Sequence, residues 1–109
     1  MKTLLALLVL TASSAASALV CQTPWDRNAF ISFDESHARV QFDHWTYPDS
    51  PPLPYNSTTR SSVYYRGRGT TMLIFERSVL TEGVGRVHYY YPSRNSGKRN
   101  TAHVTLYCR

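Results

Sequence analysis

Two cysteines are all that the 109 residues contain, and neither lies in a CxxC pair or near an HxxxH spacing. A structural zinc centre gathers four ligands at such spacings, so no metal and no other cofactor is expected. After the first eighteen residues no stretch is apolar enough to cross a membrane. There is no internal repeat and no low-complexity tract. Acidic side chains are scarce: seven Asp and Glu stand against twelve Lys and Arg, a formal net charge of +5. Such a balance favours RNA or another phosphate-bearing partner, although charge alone does not define one.

What is present begins with a leader. Residues 1–18 read as a secretory signal peptide: Lys2 supplies the positive charge, the run from Leu4 to Leu10 the apolar segment, and Ala16-Ser17-Ala18 the cleavage site. The expected product is a secreted, monomeric domain of residues 19–109 that is not membrane-bound. A chain of about 90 residues buries a modest core and is only marginally stable. Cys21 and Cys108 stand at its two ends. In an oxidising compartment a bond between them is a natural supplement to that core. Two free thiols and a metal pair are the alternatives the residues leave open.

Thr23-Pro24-Trp25-Asp26 has the chemistry of a helix start, with a capping hydroxyl, a proline at the first position and an acidic residue to answer the cap. Trp25, Ala29, Phe33, His37 and Val40 then recur near helical spacing. A strand is the rival reading, because residues 29–33 are rich in aromatic and branched side chains; the helix is preferred. Three prolines make residues 49–54 a loop. The sequon Asn56-Ser57-Thr58 beside it is expected to be exposed and open to glycosylation. Residues 62–66 alternate, and Arg66-Gly67-Arg68-Gly69 suits a turn. Residues 71–80, 84–91 and 102–108 read as strands, with Thr81-Glu82-Gly83 as punctuation and a basic loop over 92–100. The sum is an α+β fold: one N-terminal helix packed on a curved antiparallel β-sheet.

Strand parity sorts the side chains. Leu73, Phe75, Val87, Tyr89, Tyr91, Val104 and Leu106 share an apolar face. Glu76, Arg86, His88 and His103 fall on the other, with Ile74, Tyr90, Thr105 and Tyr107. A carboxylate, a guanidinium and imidazoles on one face are the parts of phosphodiester chemistry, since the first and last move protons and the second holds phosphate charge. The plainer reading is a cross-strand ion pair beside solvated histidines.

The order of these segments resembles the fungal guanyl-specific ribonucleases. It resembles still more the ribonuclease-like secreted effectors of powdery-mildew fungi. The likeness runs from the early Cys21 through Tyr47-Pro48, Tyr55-Asn56, the strand from Ile74 to Leu80 and Gly85-Arg86-Val87 to the final Cys108. It implies a ribonuclease T1-like fold with one end-to-end disulfide. Glu76 then matches the family's general base, Arg86 its phosphate-holding arginine and Tyr47 its site tyrosine. Asp49 stands where the family has a histidine, and the late basic loop has none. These matches are therefore vestigial, with His88 and His103 the only other imidazoles that sheet parity offers. The resemblance implies an inactive effector that binds host RNA or a host protein, a plant immune receptor among the candidates. Tyr64, Tyr65, Arg66, Arg68, Tyr90, Arg94, Lys98 and Arg99 are the candidate contacts. An active endoribonuclease and an unrelated small β-sandwich effector or toxin are the alternatives.

Overall fold

The computed structural model describes residues 17–93 and 100–109. The strands are β1 (Ser17–Gln22), β2 (Asn28–Phe33), β3 (His37–Phe42), β4 (Leu53–Thr58), β5 (Ser62–Arg66), β6 (Met72–Glu76), β7 (Gly85–Ser93) and β8 (Asn100–Cys108). Among the described residues a single short helix, α1 (Arg77–Glu82), joins β6 to β7. Every strand pairs antiparallel with the one before it, and β8 returns to β1, so the sheet closes into an eight-stranded barrel. Alternate residues point inward and fill it: Ile31, Val40, Leu73, Phe75, Tyr89 and Leu106 are all fully buried. An eight-stranded barrel is just wide enough to be packed by its own side chains. The interior here is core, which leaves the outer wall and the barrel ends for recognition.

This architecture overturns the expected α+β fold. Among the described residues no helix precedes the sheet, and the ribonuclease T1-like arrangement goes with it. The residues assigned to the helix form the β2–β3 hairpin, in which Ala29, Ile31, Ala38 and Val40 point inward. The Asp34 carboxylate makes the turn by accepting the backbone N–H groups of Ser36 at 2.7 Å and His37 at 2.8 Å. The apparent helical period mixed the two faces of a strand, since Ala29 is buried and His37 exposed. Thr23 does supply cap chemistry, but to a turn: its Oγ1 accepts from the N–H of Trp25 at 3.3 Å and of Arg27 at 3.1 Å, around an Asp26 with φ of 59°. The expected strand over 71–80 breaks after Glu76. There α1 begins, buries Val79 and ends on Gly83, whose φ of 78° suits a left-handed cap.

The chain closes on itself as inferred from its ends. Cys21 and Cys108 are bonded, with Cα atoms 4.2 Å apart, and they face each other across the β1–β8 seam. That seam has only two residue pairs, Cys21 with Cys108 and Gln22 with Tyr107.

The β3–β4 seam is equally thin, with His37 opposite Pro54 and Ala38 opposite Leu53. Prolines at 51, 52 and 54 cannot donate to a ladder. Residues 49 and 50 replace part of it: the Asp49 carboxylate accepts the Phe42 N–H at 2.8 Å, and the buried Ser50 Oγ accepts the Val40 N–H at 2.9 Å. Ser50→Ala is expected to leave that N–H unpaired inside the barrel and to lower stability by about 1–3 kcal/mol, read from a urea unfolding curve. The expected loop thus ends sooner than the sequence suggests, and Asn56 lies within β4. It is exposed at the bulge between Tyr55 and Ser57, still open to a glycan.

Candidate functional site: the outer wall of β5 to β8

Barrel closure turns the polar face of the last four strands outward. Their register lines up the outward side chains in rows. Tyr64 of β5 faces Ile74 of β6, which faces His88 of β7 and then Thr105 of β8. One row along, Arg66, Met72, Tyr90 and His103 follow one another. In the third, Ser62 faces Glu76, and Arg86 faces Tyr107. Neighbouring strands are about 4.8 Å apart, so the side chains of a row are near neighbours.

Glu76 and Arg86 join this wall as a pair. The Arg86 backbone N–H donates to Glu76 Oε1 at 2.6 Å, and its Nη2 lies 3.3 Å from Oε2. The Arg86 guanidinium, helped by that backbone N–H, holds the Glu76 carboxyl below the usual carboxylate range. Glu76 in turn raises the Arg86 pKa. Both are partly open to solvent, so the pair is screened by water and contributes little to stability. A carboxylate with both oxygens engaged and its proton affinity lowered is poorly suited to act as a general base.

The histidines are closer to each other than to that pair's chemistry. His103 Nε2 lies 3.3 Å from His88 Nδ1, and Thr105 Oγ1 is 3.1 Å from the same His88 nitrogen. Tyr90 stacks on the His103 ring at 4.6 Å with planes 24° apart. Burial, then the neighbouring His103 and Arg86, pushes the His88 pKa down, with Glu76 opposing.

The wall collects Tyr64, Arg66, Glu76, Arg86, His88, Tyr90 and His103 from the sequence candidates. Tyr65, Tyr47 and Arg68 lie elsewhere. Tyr65 is 3% exposed and points into the barrel, where its hydroxyl donates to the Asp34 carbonyl at 2.8 Å. Tyr47 packs on Phe42 and accepts a hydrogen bond from Trp25 Nε1 at 3.1 Å. Arg68 is exposed beyond the end of β5, beside a groove of about 550 Å³ lined also by Pro51, Pro52 and Pro54. Arg94, Lys98 and Arg99 lie outside the described residues.

Two features were not among the candidates. Tyr107, 48% exposed, completes the row of Arg86, and its parity with His103 was the signal. Trp25 and Trp45 are 72% and 87% exposed, in the β1–β2 and β3–β4 connections. Nothing in the sequence separates them from core tryptophans.

Comparison with protein-family models, with curated proteins and with solved structures finds no significant match.

Proposed function

We propose that this chain is a secreted binding module, acting outside the cell that makes it, and that it takes single-stranded RNA of a host across the outer wall of β5–β8. The observation that carries the reading is the register that sets Tyr64, Tyr90, His103 and Tyr107 among Arg66 and Arg86 on one wall. Flat rings stack on unpaired bases whatever the sequence, while guanidinium groups follow the phosphates. An open wall suits a single strand, since a duplex hides its bases. The leader peptide and the end-to-end disulfide support export into an oxidising compartment.

Fluorescence anisotropy with a labelled single-stranded RNA tests this. Affinity is expected to fall steeply as salt rises from about 50 to about 200 mM. Tyr90→Ala is expected to weaken binding by about ten-fold, the loss of one stacked base. The RNA should be recovered intact from about pH 5 to pH 8, because the Glu76 carboxylate is committed to Arg86. Cleavage abolished by Glu76→Gln would establish the endoribonuclease reading instead. Affinity indifferent to salt and to Tyr90 would turn the wall over to a protein partner.

A further inference from the structure

We propose that His88 and His103 form a two-histidine site for a divalent transition metal ion, zinc first among them, on the outside of the barrel. The proposal does not rest on RNA binding and is read on the protein alone.

The spacing is the first argument. Zinc holds imidazole nitrogens at about 2.0–2.1 Å in tetrahedral geometry, which places two such nitrogens about 3.3–3.4 Å apart. His103 Nε2 and His88 Nδ1 are 3.3 Å apart. Each ring comes from a different strand of a long, regular pairing, β7 with β8, so the separation is set by the sheet. Exposed histidines on flexible loops would have no such constraint.

The surroundings are the second argument. Thr105 Oγ1 lies 3.1 Å from the His88 nitrogen and 3.4 Å from that of His103, beside the point where an ion would sit. It is placed to hydrogen-bond a metal-bound water, the outer support that such sites use. Tyr90 stacks on His103 and limits its rotation. His88 is half-buried on the sheet, and a metal takes its ring nitrogen in the neutral form. The charged groups facing the pair are Arg86, Glu76 and each other, and the Arg86 charge is answered by the Glu76 carboxylate at 3.3 Å. Among the described residues no three His, Cys, Asp or Glu side chains converge. The site therefore offers two protein ligands, and the remaining positions are filled by water.

The test is calorimetry with ZnCl2 on the mature, disulfide-closed chain at about pH 7.5. One zinc ion per chain is expected. His88→Gln and His103→Gln should each weaken binding by at least about ten-fold. The double change His37→Gln with His44→Gln, at the other two histidines, should leave the affinity as it was. Lowering the pH to about 5.5 should also weaken binding by at least about ten-fold, as protons take the ring nitrogens. Should either glutamine variant misfold, Cu(II) bound to the unaltered chain gives an independent reading, since its electron paramagnetic resonance spectrum counts coordinated imidazoles. Two nitrogens are expected. The proposal is overturned by no zinc uptake, by affinity that survives both glutamine variants, by loss of binding in the His37 and His44 variant, or by a copper spectrum with one nitrogen or none.

Discussion

Changing Cys21 and Cys108 together to serine is expected to lower the unfolding free energy by about 4–5 kcal/mol. The disulfide closes a loop with a sequence separation of 87, and in the chain-entropy account a loop of that length restrains the unfolded chain by this amount. A domain of this size loses about 4–8 °C of melting temperature per kcal/mol, so the midpoint should drop by roughly 15–40 °C. Calorimetric melting of the oxidised chain beside the double variant measures it. A drop of only a few degrees would mean that the unfolded chain is already held together by other contacts. The double change is the right comparison, because a single one leaves a reactive thiol. A second effect should accompany the first. With the bond gone, only two residue pairs keep β1 on β8, and both strands become candidate edges. Concentration-dependent association of the variant is the sign to look for.

Among the described glycines, Gly85→Ala should be the most damaging single change, at about 3 kcal/mol. Gly85 opens β7 with φ of 143°, a conformation that side-chain-bearing residues rarely adopt. A methyl group there would also meet Ser78 Oγ at 2.6 Å, Val79 Cγ2 at 2.9 Å and Glu76 Oε1 at 3.2 Å. Backbone strain and overpacking each cost about 1–3 kcal/mol. The midpoint of urea unfolding reads the sum. Adding Ser78→Ala removes the nearest obstacle, so the double variant should recover part of the loss; full recovery would show that backbone strain contributes little. Gly69 is the control. Its φ is also positive, at 67°, but nothing lies within 4 Å of an added Cβ, so only the backbone part should remain.

How much could be read in advance varied along the chain for physical reasons. The faces of β6, β7 and β8 were legible because Leu73 and Phe75, Val87 and Tyr89, and Val104 and Leu106 alternate with more polar neighbours, and alternation depends only on local geometry. The hairpin of β2 and β3 was misread because Thr23 offers the same hydroxyl to a helix start and to a tight turn, and because Ala29, Phe33 and His37 happen to fall four apart. Barrel closure was not legible. It depends on register between distant strands, and the two cysteines show that the ends meet without showing how many strands lie between. The motif order behind the ribonuclease resemblance rested largely on strand segments, which serve many folds equally well. Within the site, Glu76 and Arg86 were correctly expected on one face, and the structure adds their contact. Tyr65 was expected to face a partner, although its parity with Val63 already placed it inside.

The two thin seams divide the barrel unequally. Strands β1 to β3 form one ribbon, β4 to β8 a larger one, and the backbone ladders between them amount to two residue pairs on either side. A reducing environment would cut the only covalent tie across β1 and β8, leaving the smaller ribbon hinged on the proline-rich connection after β3. Reduction would therefore turn a closed sheet into an open one with two free borders.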